Sequence, residues 1–343
     1  MMNKNDWHGR PYYSLDAYLK NTYGEKLYKI AIDAGFTCPN RDGTLGIGGC
    51  IFCSAGGSGD YAVKTSEHPC VKYQLAAGIS LFGSKKASKL ACEICSANSL
   101  SHTEILRNFL FDKKIGQRFI AYFQAYTNTY GPLPRLRSLY TEALREPAVA
   151  GISIATRPDC ISQDTVTMLV NIMKEFPDKF VWIELGLQTI HEKTADFIRR
   201  GYPLSIYDKC VELLNQAHIP VVTHVILGLP GEIRQHMLST VDYLNNSGIW
   251  GIKFQLLHVL QDTDLASLYE QGGYQPLSQD AYTELVIDCL EHLAPDIVIH
   301  RLTGDGSKDS LLAPRWSLDK RNVLNTIHHA MKERASYQGR LYV

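Results

Sequence analysis

Six short apolar segments recur along the chain, and a stretch with the apolar spacing of a helix follows each of them. Both faces of every segment are apolar, which is typical of strands buried in a parallel sheet. Repeated strand–helix units predict right-handed crossovers. Six units are too few for the eight-stranded barrel, so the sequence predicts an α/β fold, a partial (β/α)6 barrel of the TIM type. The segments are KLYKIAIDAGF (26–36), RFIAYFQAY (118–126), AVAGISIAT (148–156), FVWIELGLQ (180–188), IPVVTHVILGLP (219–230) and GIKFQLLHV (251–259).

The predicted strands divide the 343 residues into three parts. We expect an N-terminal extension at 1–24, a core barrel at 25–265 with an insert at about 62–102, and a C-terminal extension at 266–343. The extension is mostly helical, has one short strand at 296–300 and packs on the barrel. The net charge is zero, and there is no apolar run of ~18 residues. The first residues lack the apolar core of a secretory leader, so we expect a cytoplasmic protein that does not enter the membrane.

The glycine-rich loop after the first predicted strand contains Cys38, Cys50 and Cys53, spaced C-x11-C-x2-C. Three thiolates lack the fourth ligand of a tetrahedral structural zinc. On a cubane iron–sulfur cluster they leave one iron open for another ligand. The spacing alone is compatible with a cluster, with zinc or with free thiols. Phe52 lies between the last two cysteines, where its ring could cover a cluster or stack on an adenine.

The predicted insert contains three more cysteines, Cys70, Cys92 and Cys95, with His68 and His102 nearby. A C-x2-C pair with a further Cys or His is compatible with zinc or with a second cluster. The alternative is a set of exposed thiols. The three remaining cysteines are predicted to be small buried apolar residues, and they are Cys160, Cys210 and Cys289.

The cysteine loop and the strand rhythm resemble the radical S-adenosylmethionine (SAM) enzymes, and within them the branch that contains the catalytic subunit of Elongator. The likeness is closest to the bacterial YtqA/YhcC-type subgroup. It implies a [4Fe–4S] cluster on Cys38, Cys50 and Cys53 that cleaves bound SAM reductively to a 5′-deoxyadenosyl radical. The segments that carry it are CPNRDGTLGIGGCIFCSAGGSGD, AYFQAYTNT, GISIATRPDC, IELGLQTIHEKTADFIRRGY, VVTHVILGLPGE, GIKFQLLHVLQDTDLASLYEQGGY, HRLTGDG and WSLDK…SYQG.

The resemblance also implies roles for residues near the strand ends. Arg200 matches the arginine that binds the SAM carboxylate, a task that suits a guanidinium. Glu184 and Gln188 match polar residues near the ribose and amino group. From the residues alone, the alternative is that Glu184 neutralises Lys253 or Arg157, because buried charges usually pair. The candidate SAM contacts are Phe52, Gln124, Arg157, Glu184, Gln188 and Arg200, and the catalytic candidates are Lys253, His258, His300 and Arg301.

Charge is unevenly distributed despite the zero total. Residues 72–118 hold eight Lys/Arg and three Asp/Glu, and residues 301–343 hold eight and four. If these segments flank the barrel mouth, with Lys85, Lys86 and Lys89 in the first, they favour a phosphate-rich partner. The alternative is that the charges form a solvated helix surface. The resemblance implies the wobble uridine of tRNA as substrate, with conversion of a carboxymethylaminomethyl arm to an aminomethyl group, and flavodoxin or ferredoxin as electron donor. The alternatives are a small-metabolite or protein substrate, or a metal-binding scaffold without activity.

Overall fold

A curved sheet of seven parallel strands forms the centre of the computed structural model, which describes residues 7–57, 70–83, 118–304, 306 and 308–342. The spatial order is β1-β2-β3-β4-β5-β6-β8, and β1 and β8 are the two open edges. A separate antiparallel pair consists of β7 and β9. The strands are β1 Tyr28–Ile32, β2 Phe119–Phe123, β3 Val149–Thr156, β4 Phe180–Gln188, β5 Val221–Leu227, β6 Gly251–Leu256, β7 Val259–Leu260, β8 Val298–Arg301 and β9 Leu311–Ala313.

Ten helices in the described ranges connect or flank these strands. The sequence predicts Ser162 as an N-cap, and the structure confirms it, because the Ser162 side chain accepts a hydrogen bond from the Thr165 amide. The helices are α1 Leu15–Tyr23, α2 Val71–Gly83, α3 Leu133–Arg145, α4 Gln163–Glu175, α5 Glu192–Phe197, α6 Leu204–Gln216, α7 Arg234–Asn245, α8 Asp264–Glu270, α9 Gln279–His292 and α10 Lys320–Glu333. None of them combines the length and apolar character that crossing a bilayer requires.

The apolar core lies between the outer face of the sheet and the surrounding helices. All residues of β2 and β3 are buried, as expected for strands covered on both faces. The inner face differs, because polar side chains from several strands meet inside the curve of the sheet. Parallel strands bring all their carboxyl ends to one edge, and this places the functional residues together.

The predicted barrel is confirmed, with two differences in its extent. The short strand predicted at 296–300 is β8, which pairs in parallel with β6 and gives the sheet a seventh strand. Residues 71–83 of the predicted insert form α2, which packs on β1 as a crossover helix does. Cys70 precedes this helix, and the other insert residues, 62–69 and 84–102, lie outside the described residues.

Candidate active site

A cavity of about 260 Å³ opens at the carboxyl ends of the strands. It brings together twelve predicted site residues that are far apart in sequence, along with others that were not predicted. The predicted residues that line it are Cys38, Phe52, Cys50, Cys53, Gln124, Arg157, Glu184, Gln188, Arg200, Lys253, His258 and Arg301. Of the candidates for the main site, His300 is the exception.

The cysteine loop folds back on itself around the side chain of Arg41. The amide of Cys53 donates to the carbonyl of Cys50 at 3.0 Å, which closes the C-x2-C segment as a turn. The Arg41 guanidinium donates to the carbonyl of Cys53 at 3.1 Å and also contacts that of Ser54. These contacts hold two of the three cysteines in a fixed turn beside the cavity.

The loop also docks against the turn that follows α5. The Asn40 amide donates to the carbonyl of Arg199 at 2.7 Å and lies 3.7 Å from the Cys50 sulfur. Gly201 has a φ of +81°, and a Cβ there would lie 2.7 Å from the Asn40 side-chain oxygen. Glycine at this position therefore permits both the left-handed turn and the close approach of the cysteine loop.

The thiols of the loop influence one another. The Cys50 thiol and the Arg41 charge lower the pKa of Cys53 to about 6, whereas the contact with Cys53 and burial raise the pKa of Cys50. No three His, Cys, Asp or Glu side chains in the described ranges are grouped to hold one metal ion. A cubane cluster spreads its cysteines over separate irons, so three thiolates on one loop are a donor set that fits it.

A buried carboxylate lies beneath the cysteines inside the barrel. Glu184 is fully shielded, and its Oε1 accepts from Lys29 at 2.7 Å and from Ser153 at 2.6 Å. Its Oε2 accepts from His224 at 2.8 Å and is in contact with the Lys253 ammonium. Four donors occupy the acceptor positions of this carboxylate. The predicted neutralisation of Glu184 by Lys253 is confirmed, whereas Arg157 has another partner.

We call Tyr122, Glu184, His224, Lys253 and Gln255 the cavity floor, since all five line the cavity. Lys253 donates to the Tyr122 hydroxyl at 3.1 Å. Burial lowers the pKa of Lys253, and adjacent cations add to this effect against the pull of Glu184. Burial and the Lys253 charge likewise lower the pKa of His224 to about 4. His224 is therefore neutral at pH 7, with Glu184 at one ring nitrogen and Gln255 at the other.

The two arginines implied to be near SAM are engaged by the protein itself. The Arg200 guanidinium is buried and donates to the carbonyls of Tyr202, Leu187 and Thr189 and to the Glu192 carboxylate. Arg200 also lines the cavity, so its direct contact with the SAM carboxylate stays a prediction. The four hydrogen bonds to protein acceptors give it a second role, because they fix the end of β4. Arg157 makes a two-pronged contact with Asp159 and donates to the carbonyl of Arg200 at 2.9 Å.

Gln188 lines the cavity and has a buried polar atom without a hydrogen-bond partner in the described part of the chain. It ends β4 with a φ of +69°, and its buried Oε1 has no hydrogen-bond partner among the described residues. Buried acceptors are normally satisfied. A bound molecule with hydroxyl or amino groups would supply the missing donor, so this side chain fits the contact implied with SAM.

The catalytic candidates separate into two groups. His258 and Arg301 line the cavity, and the His258 Nε2 lies 3.0 Å from the Ser317 hydroxyl. The His300 ring packs edge-on against Trp182 and Trp250, with centroids 5.4 and 4.9 Å away. It does not line the cavity, so the catalytic role predicted for His300 is not supported.

The other cysteines that the structure describes do not line this cavity. Cys70 is exposed and donates to Glu142 at 3.2 Å, while Cys92, Cys95, His68 and His102 lie outside the described residues. The predicted second metal site is thus not visible in the part of the chain that the structure describes. Cys210 and Cys289 are buried as predicted, and Cys160 is half-buried.

Several site residues were not predicted from the sequence. Lys29, His224 and Lys253 are titratable residues inside mostly apolar strand segments. That pattern is the signal for an inward-facing polar layer, because the sheet interior contains few unpaired polar groups. The residues of this layer that sequence reasoning missed are Lys29, Tyr122, Ser153, His224 and Gln255.

Comparisons with known proteins agree with this site. The profile described as "Radical SAM superfamily" matches residues 38–244, and "Radical_SAM C-terminal domain" matches 249–333. The chain is 38% identical to the uncharacterized protein YtqA of Bacillus subtilis, over 96% of this chain and 92% of that protein. It is 33% identical to YhcC of Escherichia coli K12, over 87% and 85%.

More distant relatives share part of the chain. A tRNA uridine(34) acetyltransferase of Methanocaldococcus jannaschii is 23% identical over 41% of this chain and 26% of that protein. The structure of Methanocaldococcus infernus Elp3 matches at 15% identity with a TM-score of 0.56, over 69% of this chain and 58% of that one, and thus shares the fold. The family profile covers more than half of the chain, and the cysteine loop and barrel lie where it matches. This protein belongs to the radical SAM superfamily and is a radical SAM enzyme.

Proposed function

We propose that this enzyme modifies the wobble uridine of tRNA, converting a carboxymethylaminomethyl arm to an aminomethyl group. The observation that carries the proposal is the partial sequence match to a tRNA uridine(34) acetyltransferase, supported by the shared fold with Elp3. The basic segment at 301–343 supports a polyanionic substrate. Lys85, Lys86 and Lys89 of the other basic segment lie outside the described residues.

We assign the cluster to Cys38, Cys50 and Cys53, the three thiols of the loop that lines the cavity. When bound, the reduced cluster supplies one electron for cleavage of SAM, and the deoxyadenosyl group takes one hydrogen atom from the substrate. The side-chain oxygen of Gln188, Oε1, accepts a hydrogen bond from bound SAM. Arg157 and Arg200 hold the walls of the SAM site through their contacts with Asp159 and with the end of β4.

The overall reaction balances without another oxidant. The arm, R–NH–CH2–COO⁻, loses two electrons and two protons and takes up water, which gives R–NH2 and glyoxylate. SAM is converted to methionine and 5′-deoxyadenosine, and the electron first supplied is returned. An electron donor such as flavodoxin or ferredoxin is thus needed to prime the cluster.

The test is nucleoside mass spectrometry of tRNA from a strain that lacks this protein. We expect the carboxymethylaminomethyl nucleoside to accumulate and its aminomethyl and methylaminomethyl products to fall. Re-expression of the wild type or of Cys70→Ala restores the profile, and the Cys38/Cys50/Cys53→Ala variant does not. An unchanged wobble-nucleoside profile, under conditions in which the protein is normally expressed, refutes the tRNA proposal but not the family assignment. For the purified enzyme, turnover on tRNA should fall steeply with salt, whereas uncoupled SAM cleavage should not.

A further inference from the structure

The described residues that line the cavity are strongly unbalanced in charge. Glu184 is the only acidic residue among them, whereas five are cationic. Two of these cations are paired outside the cavity, Arg157 with Asp159 and Arg200 with Glu192. Of the other three, Arg41 holds the cysteine loop, whereas the charges of Lys253 and Arg301 act on His224 at the cavity floor.

Glu184 cannot neutralise the charges around it. Lys29 and Lys253 both contact its carboxylate, and Ser153 and His224 occupy the remaining acceptor positions. His224 is neutral at pH 7, because burial and Lys253 lower its pKa to about 4. Two lysine side chains thus share one carboxylate, and Arg301, which also lines the cavity, adds its charge at Lys253 and His224, so positive charge is in excess at the floor. Such a charge is costly unless a further anion pairs with it.

Lys253 is the cation of this group with hydrogen-bonding capacity towards the cavity. An ammonium has three donors, and within the described residues Lys253 uses two, to Glu184 and Tyr122. Its side chain is 3% exposed and lines the cavity, which Lys29 does not. Burial raises the pKa of Tyr122, so the hydroxyl beside Lys253 stays protonated.

The cations that act on the cysteines are not the ones that act on the cavity floor. The Arg41 charge lowers the pKa of Cys53, and the Arg157 charge lowers that of Cys50. The Lys253 charge instead lowers the pKa values of Glu184, His224 and His300. The floor and the cluster loop therefore line one cavity, and different cations act on each. A floor with excess positive charge favours an anionic group on the bound molecule, and the arm of the proposed substrate carries a carboxylate.

We infer that Lys253 binds a carboxylate of the substrate at the cavity floor. The inference rests on the proposed function and deepens it, because the carboxymethylaminomethyl arm ends in such a group. Lys253 then selects substrates that carry the acid and places the adjacent methylene carbon in the cavity. Nucleosides whose arm has already lost the carboxylate are released, since nothing else on the floor holds them.

Two pairs of probes test this inference on the cluster-reconstituted, SAM-bound enzyme. One pair is an anticodon stem–loop RNA with the carboxymethylaminomethyl arm and the same RNA with the acid replaced by its amide. The other is N-benzylglycine and N-benzylglycinamide. The measurement is the dissociation constant of each probe for the wild type, Lys253→Gln, Lys253→Arg and Lys29→Gln. The last variant is the matched control, because it also removes a cation from Glu184 but does not line the cavity.

We expect the wild type to prefer the acid over the amide by about 10–100-fold. Lys253→Gln should reduce that ratio to near one, and Lys253→Arg and Lys29→Gln should largely keep it. Equal binding of acid and amide in both pairs overturns the inference, and this result needs only the wild type should Lys253→Gln fail to fold. Equal loss in Lys253→Gln and Lys29→Gln also overturns it, because the effect is then structural.

The experiment separates this inference from the proposed function. If both RNAs bind no better than a stem–loop of unrelated sequence, while N-benzylglycine keeps its Lys253-dependent preference, the tRNA proposal fails and the carboxylate site stands. The affinity for SAM is measured in the same variants before the probes are added. If Lys253→Gln weakens SAM binding as much as it weakens the acid probes, the anion at the floor is that of SAM, and the inference falls.

Discussion

The ammonium of Lys253 and the carboxylate of Glu184 are in direct contact inside the barrel, and both side chains are almost completely shielded from solvent. They come from β6 and β4, on either side of β5, which contributes His224 between them. Such a pair is costly to assemble and more costly to break, because the remaining partner keeps its charge without its counterion. The pair therefore links the stability of the barrel to the chemistry of the cavity.

Glu184→Ala should lower the free energy of unfolding by about 3–5 kcal/mol, because it leaves the buried Lys253 and the partly exposed Lys29 without a carboxylate. Urea unfolding monitored by circular dichroism measures the change. The control is Glu175→Gln, which removes an exposed pair with Arg137 and should cost less than about 1 kcal/mol. Similar losses in the two variants would show that the Glu184 network does not stabilise the fold.

The three cysteines of the loop should bind about four iron and four sulfide per chain after anaerobic reconstitution. Replacing Cys38, Cys50 and Cys53 with Ala should abolish the visible cluster absorbance and SAM cleavage together. Iron analysis and a 5′-deoxyadenosine assay check this, with Cys70→Ala as a control that keeps both. A full cluster in the triple variant would place it elsewhere, with Cys70, Cys92 and Cys95 as the remaining candidates.

Arg200→Lys should behave almost like Arg200→Ala. A lysine cannot reproduce the forked contacts with Leu187, Thr189, Tyr202 and Glu192, and each buried acceptor left unsatisfied costs about 1–3 kcal/mol. We expect a lower melting temperature in both variants, with weaker SAM binding as a consequence of the displaced β4 end. Unchanged stability with a selective loss of SAM affinity would favour the direct contact with the SAM carboxylate.

Gly201→Ala should impair retention of the cluster more than Gly231→Ala. Both glycines have a φ of +81°, so both substitutions strain the backbone alike. A Cβ at 201 would also lie 2.7 Å from the Asn40 oxygen, whereas at 231 it meets nothing within 4 Å. Iron per chain after reconstitution and brief exposure to air is the measurement. Equal retention would mean that docking of Asn40 does not hold the loop.

His224 should make stability depend on pH below about 6.5. Burial and the charges of Lys253 and Arg301 lower its native pKa to about 4, despite the hydrogen bond to Glu184. Between pH 6.5 and pH 4 the histidine is protonated in the unfolded chain but neutral in the native state. The free energy of unfolding therefore falls as the pH drops. The expected loss from pH 7 to pH 5 is about 2 kcal/mol.

The control for this effect is His224→Gln, which keeps an amide donor for Glu184 but does not titrate. Unfolding free energies of both proteins at pH 7 and pH 5 give the comparison. The wild type should lose more stability than the variant by the stated amount. An identical loss in both would assign the pH dependence to other groups.

The sequence determined the architecture because local patterns encode it. Apolar runs of strand length, alternating with helical periodicity, predict a parallel sheet wherever both faces must be covered. The sequence likewise places the three thiols of Cys38, Cys50 and Cys53 on one loop, and the family resemblance implies that they bind a cluster. The seventh strand was placed in an extension, since four residues of β8 do not reveal which strand they pair with.

Only the tertiary structure decided which polar side chains contact one another. Glu184, His224 and Lys253 lie on three strands, and sheet register brings them together. Arg200 and His300 were candidates by their positions at strand ends. In the structure Arg200 donates to backbone carbonyls, and His300 packs between two tryptophans. Register and packing depend on long-range contacts, which no local pattern specifies. The sequence alone therefore determined the chain's elements and its thiols, and the folded structure decided the charge balance of its cavity.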